Sequence, residues 1–177
     1  MIDRIRAVFY KNALGKLLSS QKRQRKTQTL NSAQNIGILF DASEKTTRAE
    51  LSEWAQKLEK EGKKIKILGF FNSKQITESH PFDFFTLKES TWQGLPNSQK
   101  ALQFSQEKFD LLLSFNPEEW SQLEWIAASS PAAMKIGLAT THKNDFDIQL
   151  DTPDGKGFRF FIEQLNFYLD KIVLTKS

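Results

Sequence analysis

Two rhythms of apolar and polar positions run along this chain. Beyond residue 35, short apolar runs alternate with longer stretches whose apolar residues recur every three or four positions, the pattern of strands interleaved with amphipathic helices. NIGILFD predicts a strand over 36–40, and TTRAELSEWAQKLEKE a helix over 46–61 whose buried face is Leu51, Trp54, Ala55 and Leu58. Gly62 is placed to end that helix, and KIKILGFF supplies a second strand over 65–71. A polar connection, NSKQITESHP, then leads to a short strand in FDFFTL. Gly94 and Pro96 punctuate a loop, and a helix follows over 97–107.

FDLLLSF predicts a strand over 109–115. Pro117 is suited to the first turn of the next helix, which uses Leu123, Trp125 and Ile126 and closes before Pro131. Strands over 134–139 and 146–150 and a closing helix over 158–173 complete the series. Strands that alternate with helices call for a mainly parallel sheet covered on both faces. The expected fold is α/β: one three-layer Rossmann-like or flavodoxin-like domain spanning 31–177, preceded by a basic amino-terminal helix and connection over 1–30.

That amino-terminal segment has its own pattern. At about 100° per residue, Ile2, Ile5, Phe9, Ala13 and Leu17 share a broad face that would dock on the body, with Arg4 and Lys11 pointing away. Arg6 falls near the stripe, and Gly15 weakens the helix. QKRQRKTQ follows with no apolar anchor and reads as an exposed basic connection or helix extension.

Charge sharpens this division. The first 30 residues hold eight Lys or Arg and one acidic residue, a balance of +7, whereas the other 147 hold 17 basic and 20 acidic residues, a balance of −3. The net +4 describes neither part. The chain has no cysteine, which removes thiolate catalysis, disulfides and cysteine-ligated metal. No apolar run approaches the roughly 20 residues of a membrane span, so the chain reads as soluble or peripheral. The many aromatic residues within the expected strands and helices read as core, while Trp92, in the WQGLPN loop, is suited to anchoring that loop or to a partner surface.

The order of the basic segment, NIGILFDAS, EGKKIKILGFFN, FDFF, EKFDLLLSF, KIGLA, FDIQLD and FIEQLNFYLDKI resembles an uncharacterised family of small α/β proteins from Bacteroidota. The resemblance covers most of the chain and implies the fold and its boundaries. It implies no catalytic template.

Chemistry is sought at the carboxyl ends of the strands, where open parallel sheets form their binding crevice. Asp41, Asn72, Asn116, Thr140 and Thr141 fall there. Each is equally suited to capping a helix or closing a turn. DASEKTT after the first strand has neither a GxGxxG nor a GxxxxGK[ST] fingerprint, and Gly155 and Gly157 read as a turn, so no cofactor is implied. Asp41 and Glu44 do not make up the acidic constellation of a phosphoacceptor. His80 and His142 are the only histidines and form no HExxH motif. His142 with Asp145 or Asp147 would form an acid-base pair, and Asp41 with His142 across the crevice is the catalytic candidate. Ser43, Ser114 and Ser129 lack a triad, and Asp151 and Asp154 read as turn residues; no metal site is assigned.

The least generic feature is the basic set Arg4, Arg6, Lys11, Lys16, Lys22, Arg23, Arg25 and Lys26, a cluster able to contact several phosphates, with Phe9 or Tyr10 able to stack on bases. The expectation is a noncatalytic cytoplasmic protein associated with RNA or a ribonucleoprotein such as the ribosome. Docking to an anionic membrane surface, including the inner face of the cell membrane, or to an acidic protein is the alternative, and a small-molecule enzyme using the crevice is another.

Overall fold

The computed structural model describes residues 2–153 and 155–172, and its elements follow the expected alternation. After helix α1 (Ile2–Ser20), the chain forms β1 (Asn35–Asp41), α2 (Lys45–Lys60), β2 (Lys64–Phe71), β3 (Asp83–Thr86), α3 (Gln99–Gln106), β4 (Leu111–Phe115), α4 (Ser121–Ser129), β5 (Met134–Leu138), β6 (Ile148–Leu150) and α5 (Phe158–Leu169). Asp154 and the expected end of the last helix at Val173 lie outside the described residues.

All six strands pair in parallel, in the order β3-β2-β1-β4-β5-β6. This is the Rossmann order rather than the flavodoxin order. Successive side chains of a strand point to opposite faces, and both faces are apolar. Ile36, Ile38 and Phe40 of β1 meet Leu51 and Leu58 of α2 and Phe161 and Leu165 of α5 on one face. Leu39, Leu68 and Leu112 meet Phe104 of α3 and Leu123 and Ile126 of α4 on the other. Burial on two faces explains why the strands read as continuous apolar runs.

Several boundaries differ from the sequence reading for steric reasons. The fourth strand starts at Leu111 because Phe109 turns across β1, where a Cβ on Gly37 would lie 2.7 Å from its ring. Phe146 lies across Gly137 in the same way, at 2.5 Å, so the last strand starts at Ile148. Pro117 does not open α4. Asn116 folds a turn instead, accepting from the Trp120 N–H at 2.8 Å and donating to the Trp120 carbonyl at 3.0 Å, with Glu119 left-handed at φ 51°.

The helix α1 packs on α4, but not by the expected stripe. Tyr10 and Leu14 are buried against Ala128, with Leu17, Leu18 and Trp125 around them, while Ile5, Val8 and Phe9 are exposed. The helix is apolar on more than one side, so periodicity alone does not fix its rotation. The polar partners do: the Tyr10 hydroxyl donates to the Ser121 carbonyl at 2.9 Å or to Glu124 Oε2 at 2.6 Å. A buried phenol needs such a partner, and burial, reinforced by the Glu124 charge and hydrogen bond, raises its pKa well above the ordinary value.

Candidate functional site

In this strand order the switch point lies between β1 and β4, where the chain leaves the sheet in two directions. A cavity of about 290 Å³ sits there, lined by Asp41, Glu44, Thr47, Asn72, Glu118 and Trp120. Its central carboxylate is already engaged. Asp41 Oδ1 accepts the Ser43 backbone N–H at 2.9 Å and Oδ2 accepts the Trp120 indole N–H at 2.8 Å, and the indole rests edge-on to Phe70. Asp41 therefore ties the β1 end to the turn before α4. The β1–α2 turn lacks glycine, and the helix opens with Glu44, whose side chain makes no capping bond. Carboxylates around the helix start oppose a phosphate there.

Asn72 lines this crevice and an adjoining cavity of about 330 Å³. His80 borders the adjoining one, packed between the rings of Phe71 and Phe82 at 5.0 and 5.2 Å. His142 is elsewhere. It lies in the β5–β6 loop beside a narrow 30 Å³ cavity that Leu14 and Leu18 of α1 partly roof, together with Asn116 and Thr140. The structure thus brings Asn116, Thr140 and His142 together but leaves Asp41 at a different cavity, so the expected Asp41–His142 pairing is not formed. Thr140 Oγ1 donates to the His142 carbonyl at 3.1 Å and accepts from Asn144, a turn-forming role, and Thr141 is exposed.

The expected pairing of His142 with Asp145 or Asp147 is also absent. Its ring contacts Glu124, and its Nδ1 is 3.5 Å from Glu119. The two aspartates instead hold the amino-terminal segment. The Arg23 side chain, 2% exposed, lies 3.0 Å from Asp145 and 2.7 Å from Asp147. Its remaining N–H groups reach the carbonyls of Ala132, Ala133 and Asp145 at 3.2, 3.1 and 3.0 Å, so all five guanidinium donors are used. Arg25 pairs with the same aspartates from a more exposed position.

Beneath them Lys135, fully buried within β5, donates to Asp145 at 2.9 Å and to the Ala128 carbonyl at 3.3 Å. Burial pulls its pKa down to about 8 against the contrary pull of Asp145. Burial would raise the Asp145 pKa, but Lys135 and Arg23 outweigh it and hold the group below its ordinary value. The expected exposed connection is therefore a strap, further tied by the Lys26 N–H to the Ala133 carbonyl at 3.0 Å and by buried Gln28. Arg23 is withdrawn from solvent and is a structural residue, a correction to its place in the phosphate-binding set. The sequence signal was Lys135 itself: a lysine inside the apolar strand MKIGL requires a carboxylate.

The rest of the basic set divides by exposure. Arg6 is half-buried near Gly94. Arg4, Lys11, Lys16, Lys22 and Lys26 are exposed, and none takes part in an ion pair among the described residues. Phe9 of α1 meets Trp92 of the loop before α3 edge to face, with ring centroids 5.6 Å apart. These rings are 50% and 61% exposed.

The fold and these surfaces define a Rossmann-like α/β protein whose switch-point carboxylate is tied to Trp120 and whose basic helix is fastened to the outside of α4. The chain belongs to a family of unknown function (DUF6913), whose pattern it matches over residues 6–172. No curated protein and no solved structure matches it. Among the described residues no helix is long and apolar enough to cross a membrane.

Proposed function

We propose that this protein is a noncatalytic binding module, recruited to RNA or to a ribonucleoprotein such as the ribosome by its amino-terminal helix. The observation that carries this reading is the solvent side of α1 and its strap, where Arg4, Lys11, Lys16, Lys22 and Lys26 are exposed, as is the Phe9–Trp92 pair. Cations held on a docked helix contact successive phosphates, and exposed rings beside them take bases. The family match runs from residue 6 and so takes in most of α1. A cytoplasmic location belongs to the same proposal.

The test is ultraviolet crosslinking of the native protein in cells, comparing the wild type with Arg4→Gln/Lys11→Gln/Lys16→Gln. Recovery of RNA with the wild type and a selective loss with the variant, at equal folded protein, is the expected result. Equal RNA recovery from both would contradict it.

A second reading has its own observation. Ile5 and Val8 are 48% and 57% exposed on the same face, and aliphatic side chains among cations suit an anionic membrane interface. Lipid recovered in place of RNA in the same experiment would select that reading.

A further inference from the structure

On the RNA reading above, we propose that Phe9 and Trp92 form a base-stacking platform that selects single-stranded RNA over duplex. Trp92 is unlike the other aromatic residues of the domain. It is the most exposed large hydrophobic side chain among the described residues, at 61%, although its loop is well tied: the Thr91 N–H donates to the Leu95 carbonyl at 2.8 Å, the Gly94 N–H to the Thr91 carbonyl at 2.9 Å, and the Ser121 hydroxyl reaches the Gly94 carbonyl at 3.3 Å. A loop with these ties presents its indole in a fixed place instead of burying it.

Phe9 meets that indole with an interplanar angle of 71°. An edge-to-face pair covers only one of its four ring faces, so the platform keeps faces open to a flat ligand. Of the exposed cations on the same helix, Lys16, seven residues beyond Phe9, shares its face, whereas Lys11 lies about 160° around the axis. The combination is a hydrophobic ring pair with positive charge alongside, and its charge complement is a polyanion that carries flat rings. In duplex RNA those rings are stacked on one another, whereas in single strands they are free to splay onto aromatic side chains.

The test titrates the full-length protein with a labelled oligouridylate of about 12 nucleotides, a length within the usual site sizes, and with duplex RNA of equal length. Vesicles of phosphatidylglycerol in phosphatidylcholine form a third arm. The oligouridylate is expected to bind tighter than the duplex and to quench Trp92 emission. Trp92→Ala is expected to weaken single-strand binding about fivefold or more, Trp92→Phe to retain most of the affinity, and Trp92→Leu to behave as the alanine variant does. Because Leu keeps apolar bulk and lacks a ring, Trp92→Leu binding as well as the wild type would overturn the platform. So would full affinity in Trp92→Ala while Lys11→Gln/Lys16→Gln binds weakly, an outcome that leaves charge recruitment to RNA intact. No loss in either variant set would remove the RNA reading as well, and vesicle binding without single-strand binding would replace the platform with a lipid-docking face.

Discussion

The helix α1 and the strap that follows it have similar basic compositions and opposite electrostatic fates. In the strap, Arg23 is buried with all five donors used, and it holds the chain against β5 and β6 through Asp145 and Asp147. On α1, Arg4, Lys11 and Lys16 are exposed, and the helix is fastened by Tyr10 and Leu14 instead. A guanidinium can be buried where carboxylates and carbonyls converge on its fork. A lysine on an exposed helix face keeps its hydration and stays available to another anion. A run of positive charge is thus two devices, one that fixes the segment and one that presents it.

Substitutions in the strap should have the largest effect. Arg23→Ala removes the guanidinium that both aspartates and three backbone carbonyls share, leaving Asp145 to Lys135 and Arg25 and Asp147 to Arg25, and is expected to cost about 3–5 kcal/mol, measured by denaturant unfolding. Neutralising Lys22, Arg23, Arg25 and Lys26 together should therefore destabilise the body as well as remove exposed charge. A quadruple variant as stable as the wild type would erase the distinction between strap and helix.

Tyr10→Phe comes next. It removes a hydrogen bond to a charged acceptor, worth about 1.5–3 kcal/mol, and hydrogen exchange should show α1 opening sooner while the sheet stays protected.

The pH dependence of stability sharpens the comparison further. Between pH 8 and 10.5 the unfolded chain holds the Lys135 proton that the folded one has released, so the unfolded state binds more protons and stability rises with pH. Above pH 10 the Tyr10 phenol ionises only when unfolded, so its contribution falls. On the acid side, the Asp145 contribution is lost as pH drops from 3.8 through its lower folded value. Lys135→Met should abolish the alkaline rise, as read from unfolding midpoints across pH. Persistence of the rise would show that the buried ammonium is not its source.

The smallest effect on stability is expected outside. Lys11→Gln/Lys16→Gln should leave the unfolding midpoint unchanged, because both side chains are solvated.

Much of this fold was legible because its periodicities are local. Apolar runs such as Ile36–Phe40 and the Leu51/Ala55/Leu58 spacing fix a strand and a helix face without knowledge of the rest. Strand order was not legible, since parallel neighbours are joined through helices or loops that carry no register. The candidate site was legible in part. Asp41, Asn72 and Asn116 fall at strand ends as expected, but the link from Trp120 to Asp41 spans 79 positions and leaves no periodic trace. The rotation of α1 was hidden for a related reason: Phe9 and Tyr10 are neighbouring aromatic residues, either able to pack inward, and the Glu124 and Ser121 acceptors that suit the phenol lie more than 100 positions away.

The central claim is that the outward cations of α1 and the strap, and not the inward arginines, contact RNA. Affinity for single-stranded oligouridylate across a salt series tests it most directly, with the wild type compared with Lys11→Gln/Lys16→Gln. The account predicts weaker binding by the variant and a log–log salt slope shallower by about 0.7 for each phosphate contact removed, with the unfolding midpoint unchanged. The same affinity and the same slope in both proteins would contradict it.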